Sequence, residues 1–109
     1  MTGRNRGIPG KSDGGNAPRS PALKRRVRFA YFAPAAKIVT LAGDFNGWNP
    51  HVLPLRRTPG ALWTATLRLE PGRYSYKFVV NGERWEEDPL NERRVVNDRG
   101  SCNSVVEVA

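Results

Sequence analysis

Between Val27 and Val80 the chain alternates apolar and polar residues with a period of two, in runs broken by turn formers. Trp63, Ala65, Leu67 and Leu69 fall on one side, with Thr64, Thr66 and Arg68 on the other. Beyond Pro71-Gly72 the pattern resumes as Tyr74, Tyr76, Phe78 and Val80 against Ser75, Lys77 and Val79. This is the repeat of a strand with one buried face, and no segment carries the 3.6-residue repeat of an amphipathic helix. Three earlier runs read the same way. Val27, Phe29 and Tyr31 alternate with Arg28 and Ala30 until Pro34, Ile38 to Ala42 ends at Gly43, and Leu53 to Arg56 is a brief run that Pro54 confines to a sheet edge. Asn81-Gly82 supplies positive φ at both centres of a type I′ turn, which predicts a hairpin returning through Glu83, Arg84 and an outward or sideways Trp85. An irregular stretch, Glu86 to Cys102, precedes a last strand over Asn103 to Val108. Seven short strands with frequent turns predict an all-β protein, an antiparallel β-sandwich.

Length and charge set the domain organisation. The 109 residues suffice for one small domain with a compact core and no large enclosed active site. Arg4, Arg6, Lys11, Arg19, Lys24, Arg25 and Arg26 face only Asp13 in the first 26 residues, a net charge of +6 out of +8. That segment is rich in Gly and Pro and almost devoid of apolar residues, so it cannot offset its ordering entropy. Residues 1–25 are expected to be a disordered basic tail, and residues 26–109 the sandwich module. The tail suits electrostatic contact with nucleic acid, an acidic partner or another polyanion; it equally suits a solubilising extension. No apolar run approaches the ~18 residues of a membrane span, and no secretory leader pattern is seen, so the expectation is a cytoplasmic protein without membrane contact.

Composition removes most catalytic chemistry. One Cys and one His leave no internal disulfide and no Cys/His metal cluster, so neither metal nor cofactor is expected. Glu86, Glu87 and Asp88 are the one acidic cluster, placed in a loop without an apolar pocket to raise a carboxyl pKa, which opposes glycoside hydrolysis. His51 reads as a surface loop residue, Cys102 lacks a partner, and the glycines punctuate turns rather than form a phosphate-cradling loop.

A binding surface is the reading left. Trp48 lies in GDFNGWNP, a loop of turn formers with no strand to bury the indole, and Trp85 sits at a strand end. Both could instead cap the ends of the core, whereas Trp63 shares the inward row of its strand. Lys77 lies opposite the aromatic row, so its ammonium should reach solvent, and Asn103 offers donor and acceptor. Flat indoles edged by amide and ammonium groups match the apolar face and hydroxyl rim of a sugar.

The segments LAGDFNGWNP, PGRYSYKFVVNGERWEEDPLN and GSCNSVVEV, in that order across Val27 to Ala109, resemble carbohydrate-binding module family 48. The resemblance implies an immunoglobulin-like early-set sandwich that binds glycogen or starch-like α-1,4-glucan without catalysis. Such modules stand beside α-amylase-type branching and debranching enzymes and in the β subunit of AMP-activated protein kinase, so it also implies a glucan-metabolising enzyme or kinase-like partner. By this resemblance Trp48 and Trp85 match the tryptophans that stack on glucose, and Lys77 and Asn103 match residues that hydrogen-bond it. Ser101 falls where a threonine contributes. Arg99 stands where the kinase-type modules place a leucine that reaches into a curved glucan, a departure that weighs against cyclic or strongly coiled ligands. Asp44, Gly43, Gly47, Asp88 and Pro89 belong to the same motifs and read as loop-forming or structural residues.

Overall fold

A computed structural model describes residues 23–109, so nearly all of the predicted tail lies outside the described residues. Eight strands follow in order: β1 (Arg25–Phe32), β2 (Val39–Gly43), β3 (Arg56–Thr58), β4 (Leu62–Leu69), β5 (Gly72–Val80), β6 (Arg84–Glu86), β7 (Arg94–Val96) and β8 (Cys102–Val108). A single 3-10 turn, Asp44–Asn46, interrupts them, and no helix among the described residues is long and apolar enough to cross a membrane.

The strands form two antiparallel sheets, β1-β4-β3 and β2-β5-β8-β7, with β6 pairing onto β5. The alternation seen in the sequence decides which residues lie between them. From β1 and β4 come Phe29, Tyr31, Trp63 and Leu69, and from β2 and β5 come Val39, Leu41, Tyr76 and Phe78. Rings meet across the gap, Phe29 against Tyr76 at 4.9 Å between centroids and Tyr31 against Phe78 at 4.8 Å. Both distances lie in the range where edge and tilted ring pairs attract beyond their burial. Trp63, buried as expected, donates its indole N–H to Ala33 O at 2.9 Å, so its one polar atom is satisfied inside the core.

Three elements differ from the sequence reading. The run around Pro54 makes only an isolated bridge to Thr40, and the strand proper forms two residues later, where Arg56–Thr58 pair with β4. Proline lacks the N–H that a ladder needs, and the chain resumes pairing once past it. The Asn81-Gly82 turn has the expected positive φ at both residues, 55° and 72°, and Glu83 N donates to Val80 O, yet Arg84 stands opposite Val80, so Glu83 is an extra residue of the loop and strand pairing restarts one residue later than a two-residue turn gives. Finally, β7 lies inside the stretch expected to be irregular and pairs with β8.

Candidate functional site

Odd-numbered residues of β5 point away from the core, and the registers extend that outer face across the sheet. Lys77 lies opposite Ala42 of β2, Val79 opposite both Thr40 and Trp85, and Asn103 of β8 opposite Val95 of β7. Two loops rise over this face. One follows β2 and carries Trp48; the other joins β7 to β8 and carries residues 97–101. Between them lies an open groove of about 680 Å³, lined by Trp48, Lys77, Trp85, Arg99, Ser101 and Asn103 together with Asp44, Ser75, Asn97 and Asp98. All six residues singled out in the sequence therefore line one groove.

The Trp48 loop is fastened to the sheet through Asp44. A Cβ on Gly43 would stand 2.6 Å from Ser75 O, so only glycine lets the loop pass this close to β5. One Asp44 oxygen then accepts Ser75 N at 2.7 Å and the other accepts the Trp48 indole Nε1 at 3.0 Å. Trp48 itself has φ of 62°, a left-handed conformation that costs an L-residue about 1 kcal/mol or more. The Asp44 carboxylate, with Trp48 N donating to Gly43 O at 2.9 Å, holds that conformation and leaves the indole half-buried. Trp85 is 43% exposed, held only by the short β6 pairing.

The second loop is organised by Asn97. Its Oδ1 accepts Arg99 N and Ser101 N, while its Nδ2 donates to Ser101 Oγ at 2.8 Å and Asn103 Oδ1 at 3.1 Å. Lys77 also donates to Ser101 Oγ, at 3.1 Å. Lys77 as a whole is only 8% exposed, more covered than the sequence suggests, because its Nζ is tied to Ser101 of the 97–101 loop, and it meets solvent through the groove it lines. Its Nζ keeps two N–H groups without partners among the described residues. Ser101 Oγ receives two bonds and so keeps its own hydrogen free to donate, and Asn103, with Oδ1 engaged, offers its NH₂. The groove is thus rich in unspent donors, and its Lys77 and Arg99 are balanced by Asp44 and Asp98. A neutral ligand with many acceptor oxygens and flat apolar faces fits this chemistry.

The inner face of β5 carries the opposite arrangement. Tyr76 donates its hydroxyl to Asp88 Oδ2 at 2.7 Å and accepts from Asn91 Nδ2 at 3.0 Å; Asp88 Oδ1 accepts Leu90 N, and Asp88 N donates to Ser104 Oγ. Burial holds the Tyr76 phenol far above its usual pKa. Asp88, taken with its neighbours as a solvated acidic cluster but matched by motif to a structural role, is buried and structural. His51 is exposed, as expected. Sequence reasoning missed Asn97 as the organiser of its loop and read Asp44 only as a turn former. The signal was present in NDRG, an Asn followed three residues later by the Gly that closes the turn with φ of 82°.

Residues 15–98 match the family described as Carbohydrate-binding module 48 (Isoamylase N-terminal domain). The chain belongs to that family. Among the module's relatives, a 1,4-alpha-glucan branching enzyme of Xanthomonas campestris is 47% identical over 56 residues, which cover 50% of this chain and 8% of the enzyme. Protein FLOURY ENDOSPERM 6, chloroplastic, of Oryza sativa is 36% identical over 77% of this chain and 15% of its own length. The 5'-AMP-activated protein kinase subunit beta-1 of Rattus norvegicus is 36% identical over 83% of this chain and 31% of that subunit. The crystal structure of a maltogenic amylase from S. marinus superposes with a TM-score of 0.65 and 26% identity over 79% of this chain and 14% of that one. The early-set sandwich expected from the motifs is therefore the fold observed. The module spans less than a third of each of these relatives.

Proposed function

We propose that the groove binds α-1,4-linked glucan of a glycogen- or starch-like polymer without catalysing a reaction, and that the module brings an attached or associated glucan-metabolising enzyme or kinase-like partner to the polymer. The observation that carries this reading is the placement of two indoles and three groups with unused donors on one open, charge-balanced face. Trp48 and Trp85 stack on the apolar faces of successive glucose rings. Lys77 Nζ, Asn103 Nδ2 and Ser101 Oγ donate to hydroxyl oxygens, and Arg99 lies at the rim. The relatives, a 1,4-alpha-glucan branching enzyme and a maltogenic amylase among them, agree with a glucan ligand. Hydrolysis finds no support in the groove: of its two carboxylates, Asp44 has both oxygens engaged by Trp48 and Ser75, so Asp98 has no second free carboxylate with which to form an acid–base pair.

An indole stack contributes on the order of 1 kcal/mol beyond its buried area and each net hydrogen bond about 0.5–1.5 kcal/mol. After association costs, that corresponds to Kd of roughly 10 μM to 1 mM for one site. Repeated epitopes on a polymer raise the effective affinity. Native electrophoresis through gels containing glycogen or amylopectin tests the reading. Wild type and a chain of residues 23–109 should be retarded and Trp85→Ala should not; unretarded wild type on both polymers overturns it.

A further inference from the structure

The sheet on the other side of the molecule carries an arrangement that the glucan groove does not use. β1 is its edge strand and pairs with β4 alone, over eight residues from Arg25 opposite Leu69 to Phe32 opposite Leu62. Ala33 N donates to Ala61 O just beyond the strand, and the alternation of an antiparallel ladder then turns the odd residues' backbone groups toward β4. Arg26, Arg28, Ala30 and Phe32 are left with N–H and C=O groups facing outward, and no described residue bonds to them. The side chains of the same four residues lie on the solvent face of the sheet. Arg68 of β4 stands directly opposite Arg26, and Arg56 of β3 lies on that face as well. All four arginines are exposed, and none has an acidic partner within ion-pair distance among the described residues. Glu70, just past β4, is the one acid of that row, and Lys24 lies beside it in the extended register.

Like charges directly opposite in a ladder destabilise it, so the Arg26–Arg68 pair does not serve the fold. An edge that is long, open and lined by one charge is a template for a strand of the other charge. The inward side of that edge is apolar, with Val27 and Tyr31 only partly buried. At its far end lies a concave patch of about 440 Å³ lined by Tyr31, Phe32, Pro34, Ala36 and Arg84.

We propose that the open edge of β1 docks an extended acidic segment of a partner protein, which joins the three-stranded sheet as a strand. Its alternate carboxylates lie against Arg26 and Arg28, and the intervening apolar side chains extend the core beside Val27 and Tyr31. Charge excludes the other occupants. The chain's own residues 1–22 are basic, with Arg4, Arg6, Lys11 and Arg19 against Asp13, and a second copy paired antiparallel over the whole strand would set the two Arg28 side chains on diagonal positions of one face with no acid between them. Nucleic acid is disfavoured because this face offers one exposed ring, Phe32, four residues along the strand from Arg28, and no row of rings on which successive bases could stack.

Fluorescence anisotropy with the full chain tests the proposal. The probe is a labelled octapeptide of alternating Glu and Val, compared with an octapeptide of four Glu followed by four Val and with an eight-nucleotide thymidine oligonucleotide. The alternating peptide should bind at least about tenfold more tightly than the block peptide, a comparison that needs no variant. Arg26→Glu with Arg28→Glu, and separately Ala30→Pro, which removes an outward N–H while keeping every charge, should each weaken it about tenfold or more. Retention on glycogen gels should be unchanged in both variants. Equal binding of the two peptides, insensitivity to Ala30→Pro in a folded variant, or tighter binding of the oligonucleotide would each overturn strand addition.

Discussion

Tyr76 and Lys77 are adjacent in β5 and both buried, yet they face opposite sides of the sheet and differ in how far their polar groups are paired. The Tyr76 hydroxyl both donates and accepts, and the Asp88 and Asn91 groups it meets are bonded in turn. Lys77 Nζ has three donors and gives one, to Ser101. A buried polar group left short of partners loses free energy that full pairing would recover, and a fold built only for stability closes such gaps. The inner face of β5 is therefore read as stability and the outer face as unspent binding capacity. Variation on one side should change unfolding and leave binding alone; variation on the other should do the reverse.

The largest effect is expected on the inner side. Asp88→Ala strips the acceptor from the Tyr76 hydroxyl and from Leu90 N, and should lower unfolding stability by about 3 kcal/mol in a urea titration. Its affinity for maltoheptaose, measured at a temperature where it remains folded, should stay within about twofold of wild type. Next comes Trp48→Ala, which should weaken maltoheptaose binding by at least about tenfold in calorimetry and move the urea midpoint little, because the indole is fastened to a loop rather than packed in the core. Unfolding of this variant would make Trp48 a core residue and dissolve the contrast. Lys77→Met keeps the stem and removes the donors; an affinity loss of about three- to tenfold with stability unchanged or raised is expected from the same titrations.

The smallest effect is alkaline. The folded pKa of Tyr76 is raised by burial, so its stabilising contribution is complete below the unfolded tyrosine pKa of about 10 and is lost as pH climbs above that value. Wild type should lose about 1 kcal/mol more than Tyr76→Phe between pH ~9.5 and ~11, read from paired urea titrations.

How much of this was legible in the sequence follows from the range of the interactions. Period-two alternation placed Trp63, Tyr76 and Phe78 inside because it depends only on neighbours along the strand. It gave no sign of β7, whose three residues Arg94, Val95 and Val96 do not alternate and are held by pairing with β8. Alternation also sent Lys77 to the outer face correctly but said nothing about what covers it. The cover is a loop some twenty residues away, whose shape rests on Asn97 side-chain bonds. Trp48, Trp85 and Asn103 stand out by their place in loops and at strand ends, Ser101 and Arg99 only through the family resemblance, and their convergence on one groove is a property of the sheet register.

The measurement that tests the account most directly is a nitrogen-15 correlation spectrum of the full chain titrated with maltoheptaose. The indole signals of Trp48 and Trp85 and the backbone signals of Asn97, Ser101 and Asn103 should move together and saturate with one Kd. The Trp63 indole, bonded to Ala33 O inside the core, should stay in place, as should the amides of Arg26 and Arg28 on the opposite sheet. Shifts centred on the three-stranded sheet, or none up to millimolar ligand, would contradict a glucan site on the outer face of β5.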